Sequence, residues 1–191
     1  MVQIRDMANS QGLRIMHIGK YHPPHAGGME SYLGGLLRVQ SAQGLEVTAV
    51  VHSSERSFWD KREQETDKHC GASYVVIKVA RWLNIGFIPV SPLFLLAVRS
   101  AIKKYRPDIL HLHHPNSSLM WLLLLKSARR LPWVSHWHSD ILTPNSNLIV
   151  KLAYFFYRPV ETALLKISKL VIATSPPYLK SSPQLQKFKN K

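Results

Sequence analysis

The feature that most constrains this chain is a beat. Short apolar runs, each closed by a turn signal, alternate with stretches whose leucines recur at helical spacing. "LRIMHI" (13–18) ends at Gly19, and "MESYLGGLLRVQSAQG" follows with Leu33, Leu36 and Leu37 in helical register and a stop at Gly44. "LEVTAVV" (45–51), "YVVIKV" (74–79), "ILHLHH" (109–114), "WVSHWH" (133–138) and "LVIATS" (170–175) read as further strands. Several are apolar on both faces, which a parallel sheet covered by helices demands and a half-wet antiparallel sheet does not. The expected fold class is α/β, a doubly wound parallel sheet. Ligands in such sheets sit beyond the carboxyl ends of the strands, so function is sought at 19–28, 113–116, 138–140 and 174–177.

The connecting segments carry their own signals. Ser91 is placed as an N-cap with Pro92 at the first helical position and Pro107 as the stop. A helix is expected from Pro115 to Arg130, and a long amphipathic one over 147–169, kinked or restarted around Pro159. The polar stretch 52–73 reads as an excursion holding five of the 11 acidic residues.

At 191 residues the chain can bury a core without disulfide staples, and its single cysteine, Cys70, suits a reducing compartment. No signal peptide is expected at the N-terminus, and the greasiest stretches are short or broken by proline. The expected location is cytoplasmic. Net charge is +14, unevenly spread: residues 1–77 hold eight Lys or Arg against eight Asp or Glu, and residues 78–191 hold the other seventeen of 25 against three of 11. Such a surface favours phosphate-rich partners, namely anionic lipid, phosphorylated small molecules or nucleic acid, or else simply keeps the chain in solution. Nucleic acid is not expected, because no binding module is present and the aromatic residues do not interleave with the basic ones.

The loop "GKYHPPHAGGMESY" is stiff and then bare. Pro23 and Pro24 fix its first half, while Gly27 and Gly28 allow backbone amides to approach a ligand at the start of a helix, where an anion such as a diphosphate is favoured. The spacing is neither the dinucleotide fingerprint nor a P-loop, and a mere tight turn is an equal alternative. Strand alternation puts His111 with His113, and His136 with His138, on one face of their strands. His113 and His138, at strand ends, are candidates for acid–base work or hydrogen bonding, while His111 and His136 read as hydrogen-bonded core residues. His-x-His ends beside Asp140 also resemble the ligands of metal-dependent hydrolases. The scarcity of carboxylates in this half argues against that, and no metal is expected. No G-x-S-x-G elbow is present, and Cys70 lies away from the crevice.

Taken in order, "LRIMHIGKYHPPHAGGMESYLGGLL", "DILHLHHPN", "VSHWHSDI", "YRPVE" and "ISKLVIATSPPY" resemble the N-terminal domain of the retaining nucleotide-sugar glycosyltransferases of GT-B fold, the large family 4 type. The resemblance implies a Rossmann-like domain over 13–180, after a tail at 1–12 and before the start of an interdomain segment at 181–191, with the C-terminal donor-binding domain and its E-x7-E element absent. It implies that Gly27 and Gly28 meet the donor diphosphate, that His138 contacts the transferred sugar, and that His113, His114, Asn116, Ser139 and Asp140 line the acceptor side. The donor is a nucleotide-diphosphate sugar, with no cofactor, and the acceptor a glycan or lipid-linked glycan. Arg81, Arg99, Lys103 and Lys104 are expected to face an anionic membrane at the inner leaflet, although the leucines among them suit packing on the sheet. The chain alone is expected to be inactive, and it reads as a fragment, a frameshifted gene product or a partner whose cleft is completed by a C-terminal domain in another chain. A metal-dependent hydrolase and a non-catalytic sugar- or lipid-binding module remain the rival classes.

Overall fold

A computed structural model describes residues 12–56, 61–66, 73–85, 88–141 and 148–191. Most of the expected N-terminal tail, and Cys70, lie outside them. The strands are β1 (Arg14–Ile18), β2 (Glu46–Arg56), β3 (Lys61–Thr66), β4 (Ser73–Arg81), β5 (Leu83–Ile85), β6 (Ile88–Val90), β7 (Ile109–His114), β8 (Trp133–Trp137) and β9 (Leu170–Ala173). The helices are α1 (Gly28–Ala42), α2 (Phe94–Tyr105), α3 (Met120–Leu124), α4 (Lys126–Arg129), α5 (Leu148–Ile167) and α6 (Pro176–Ser181). The main sheet runs β3-β4-β2-β1-β7-β8-β9; all but β3 are parallel, and β5 and β6 form a separate hairpin. This is a Rossmann-like doubly wound sheet, the expected fold class. From β1 the chain builds outward through β2 and β4, then crosses back to lay β7 on the other side of β1. The crevice between the ends of β1 and β7 is therefore the switch point at which open α/β sheets bind ligands.

Alternation along the strands sends hydrocarbon to both layers. On one face Val47, Ala49, Val51 and Val76 meet Leu33 and Leu37 of α1. On the other, Met16, Ile18, Leu110 and Leu112 pack with Phe94 and Val98 of α2, Leu122 of α3, Ala128 of α4 and Leu164 of α5. The proline loop lies directly on α1, where a Cβ at Gly34 would press on the Pro23 ring at 2.9 Å.

Three local expectations are corrected and a fourth is narrowed. The polar stretch after β2 is not all excursion: β2 runs on to Arg56, and β3 pairs antiparallel with β4, a charged edge strand of the kind that discourages further pairing. Helix α2 begins at Phe94 and not at Pro92. Ser91 is buried and closes a turn through its carbonyl, which accepts from Phe94 N at 3.2 Å, while its hydroxyl makes no cap. The helix expected over Pro115–Arg130 is a 3-10 turn at Ser117–Leu119 followed by α3 and α4, broken at the extended Leu125. Leu119, Leu122, Leu125 and Ala128 are all buried at a spacing of three, which a continuous 3.6-residue helix cannot keep on one face, and the break resets the phase. Helix α5, by contrast, runs through Pro159 without a restart; that residue sits on its exposed side, where a carbonyl left without a donor can be hydrated.

Residues 181–191 pack back on the domain. Leu185 is buried against Trp137 and Leu165, and the Lys191 ammonium donates to the carbonyls of Leu165, Lys166 and Ser168 at the end of α5.

Candidate functional site

A cleft of about 580 Å³ opens at the switch point. Lys20 comes from the turn after β1, Gly28, Glu30 and Tyr32 from the first turns of α1, Pro115 from the end of β7, His138 and Ser139 from the end of β8, and Thr174 from the end of β9. The two glycines have different work. A Cβ at Gly28 would meet nothing within 4 Å, so that position opens into the cleft, whereas a Cβ at Gly27 would collide with the Glu30 carboxylate. Gly27 thus makes room for a buried acid beside the start of α1, and Gly28 bares the helix N-terminus. Burial pushes the Lys20 ammonium below its usual range, with Glu30 pulling the other way.

Behind His138 stand four more imidazoles on the same face of the sheet. Register pairs His17 with His111 and His113 with His136 across adjacent parallel strands. His17 Nε2 lies 2.7 Å from Gln40 Oε1, His17 Nδ1 lies 3.1 Å from His113 Nε2, and His113 Nδ1 lies 3.0 Å from His138 Nε2. His111 and His136 stack against this line. The rings of His136 and His138 are 4.4 Å apart and within 6° of parallel, those of His111 and His113 4.8 Å apart and within 13°. Tyr32 of α1 meets His136 and His138 edge-on. His111 and His136 are buried, as expected of core residues, but His111 Nε2 and His136 Nδ1 have no hydrogen-bond partner, and both rings stack on neighbouring imidazoles.

Burial keeps the cluster uncharged. It depresses His17 and His138 to about 4, His111 to about 2 and His113 well below the usual histidine range, with neighbouring imidazoles adding to the effect. Two trios, His17 with His111 and His113, and His113 with His136 and His138, gather ligand atoms within 4.8 Å. Both nitrogens of His113 are engaged by other rings, however, and stacked rings aim their lone pairs along parallel planes instead of at one point. The arrangement suits hydrogen bonding better than metal coordination.

The remaining expected site residues separate by face. Ser139 joins His138 in the cleft. His113 is buried behind it. His114 points through the sheet to the other face, its Nε2 3.1 Å from Ser135 Oγ and its ring against Trp137, so the cleft does not reach it. Asn116 caps the 3-10 turn by accepting from Ser118 N at 3.1 Å, and its carbonyl accepts from Tyr157. Asp140 Oδ1 accepts from Trp137 Nε1 at 3.0 Å and Ser182 Oγ at 2.8 Å, fastening the segment after β8 to the end of α6. Lys20, Glu30, Tyr32, His17 and Gln40 were not anticipated. An acid two residues after a glycine pair, G-G-x-E, is the local signal for Glu30; the others are brought in by strand register and by the facing of α1.

Of the basic residues, Arg81 donates to the carbonyls of Ser53 and Ser54 at the end of β2, while Arg99, Lys103 and Lys104 lie exposed along α2. The apolar side of α2 packs on the sheet, as the packing alternative for that segment required. The first half of α5 leaves Leu148, Ile149, Leu152, Phe155 and Phe156 exposed. Among the described residues no helix is long and apolar enough to cross a membrane.

Residues 26–182 match the model of Glycosyltransferase Family 4. The chain is also 26% identical over 180 residues to the O-antigen chain mannosyltransferase C of Escherichia coli, an alignment covering 94% of this chain and 44% of that protein. The chain thus spans less than half the length of this curated relative.

Proposed function

Because this chain belongs to glycosyltransferase family 4, we propose that it forms the acceptor-side wall of a cleft in which a hexose passes from a nucleotide-diphosphate donor to a glycan or lipid-linked acceptor, with retention. One observation carries the reading: His138 and the bared N-terminus of α1 open into the same cleft at the switch point. The amides of α1 at Gly28, with Lys20 beside them, supply the positive end that a diphosphate needs. Neutral His138 stands across the cleft to hydrogen-bond the transferred sugar and orient it, with Ser139 beside it. The similarity to a mannosyltransferase supports glycosyl transfer as the chemistry.

Transfer needs a second wall to hold the nucleotide and exclude water, so the cleft works when a donor-binding domain closes it, and the 191 residues alone are expected to be inactive. Titration with UDP- and GDP-hexoses, followed by NMR, tests the phosphate end. Signals of Gly28 and Tyr32 should move, and Gly28→Val should weaken binding while leaving the fold intact, since its Cβ meets open space. Wild-type affinity in Gly28→Val would remove the helix N-terminus from the account.

An anionic membrane at the cytoplasmic face belongs to the same proposal. Its support is the exposed Arg99, Lys103 and Lys104 on α2 and the apolar stripe on α5, where Lys151 and Arg158 flank the bare side chains. Arg81 is withdrawn from that surface because its guanidinium is spent on β2 carbonyls. Flotation with vesicles rich in phosphatidylglycerol should carry the protein upward, and equal flotation with neutral vesicles would count against the charge contribution.

A further inference from the structure

We propose that Gln40, separated from the cleft by two buried imidazoles, fixes which nitrogen of His138 carries the proton, so that His138 offers a bare Nδ1 lone pair to the cleft. The inference stands on a single line of contacts: Gln40 Oε1, His17, His113 and His138, linked at 2.7, 3.1 and 3.0 Å. The links are in line. The ring centroids of His17 and His113 are 5.4 Å apart and those of His113 and His138 5.2 Å, the separations of rings meeting edge to edge along those N···N contacts.

A neutral imidazole has one N–H donor and one bare acceptor, so each link dictates the next. The Gln40 carbonyl oxygen only accepts, which places a proton on His17 Nε2 and leaves His17 Nδ1 bare. His113 must then donate from Nε2, and its own Nδ1 becomes the acceptor. His138 in turn donates from Nε2, and Nδ1 is the nitrogen left over. Water has no access to the middle of the line, since His17 and His113 are both 0% exposed, so no solvent molecule breaks the sequence of roles. Their burial also holds both rings neutral, the condition the relay needs.

The consequence for ligand choice rests on the glycosyltransferase reading of the cleft. A bare lone pair accepts from a sugar hydroxyl and repels a phosphate oxygen, so His138 would draw the sugar end of a donor while the diphosphate turns to the N-terminus of α1. Gln40 is a positioning residue here, touching no ligand. One carbonyl oxygen near the C-terminal end of α1 orders the polarity of the site.

The tautomer itself is read without any ligand, so its failure and the failure of the sugar-transfer reading are distinguishable. The experiment is long-range ¹H–¹⁵N correlation spectroscopy of the histidine-¹⁵N-labelled chain at pH 8. His17, His113 and His138 should each show a protonated Nε2 and the far-downfield shift of a bare Nδ1. Gln40→Leu, which removes the anchor, should mix the two tautomers at all three rings. Gln40→Lys, which can only donate, should drive all three toward the Nδ1–H form. His52, hydrogen-bonded to Ser118 Oγ on the other face, serves as the folding control and should not change. A wild-type His138 protonated at Nδ1 would overturn the proposal, and so would wild-type tautomers at all three rings in both variants.

Discussion

The two faces of β7 and β8 are built from alternate residues of the same strands and differ in almost everything else. Toward α2, α3 and α5 they present Leu110, Leu112 and Trp133, hydrocarbon that joins a closed core. Toward α1 they present His111, His113 and His136, joined from β1 by His17 and from beyond β8 by His138. The hydrocarbon of the first face contributes equally at any pH because burial of apolar area is indifferent to protons, and its titrating groups are His114 and His52, both depressed to about 3 by burial. The second is stable only while its imidazoles are neutral, and two of its nitrogens, His111 Nε2 and His136 Nδ1, are buried without a partner. One strand can therefore contribute a hydrocarbon core through one face and a cluster of imidazoles opening into the cleft through the other.

Acid should break the comparison most strongly. The folded-state values of His17 and His138, about 4, and of His111, about 2, lie below the unfolded value of about 6.5, so the unfolded chain binds more protons in between. The stability these groups contribute is fully present above about pH 6.5 and is lost as pH falls toward and through those values, by roughly 1 kcal/mol per pH unit for each extra proton. Glu161, buried and raised to about 7, acts oppositely over about pH 4.5–7, since its folded form holds a proton the unfolded one releases, and offsets one imidazole. Urea unfolding at a series of pH values should show midpoints falling steeply from pH 7 to 5. A flat profile would mean that the cluster is charged or open to water.

A change on the hydrocarbon face should be smaller and independent of pH. Leu112→Ala deletes a fully buried side chain and should cost about 2–5 kcal/mol, shifting the stability-versus-pH curve downward without changing its slope. A slope change would show that the two faces are coupled. Smallest of all is His111→Leu, which replaces a buried ring carrying an unpartnered nitrogen by hydrocarbon of similar size. Stability at pH 8 should move by about 1 kcal/mol or less, in either direction, while the acid slope falls by one proton. An unchanged slope would place His111 outside the buried, neutral set.

The same contrast explains what could be read in advance. Short runs rich in apolar residues and closed by turn signals announce themselves, and β1, β2, β4, β7, β8 and β9 were legible for that reason, as was α1 from the leucine spacing before Gly44. β3 was hidden because an edge strand of sequence "KREQET" carries no apolar signal at all. The break at Leu125 was hidden because a spacing of three passes locally for helix, and only the sheet beneath decides that all four residues must be buried. Within the site, His138 and Gly28 were legible from their positions at a strand end and a helix start. His114 was assigned to the cleft by its place at the strand end, although the alternation that pairs His111 with His113 puts it on the opposite face. His17 and Gln40 had no local signal, since each acquires its role from a residue at least 23 positions away.

The proposed function puts sugar transfer at the histidine face, opening at His138. It is tested most directly by measuring turnover of His138→Ala and His114→Ala side by side, with the chain joined in cis to a donor-binding domain that closes the cleft. The two imidazoles sit at adjacent strand ends and face opposite ways. His138→Ala should lose about 10- to 100-fold in kcat with little change in unfolding midpoint. His114→Ala should lower the midpoint, because it vacates a buried contact with Ser135 and Trp137, and leave the kcat of the folded protein nearly intact. Wild-type turnover in His138→Ala, or a deeper loss of kcat in His114→Ala, would contradict the account.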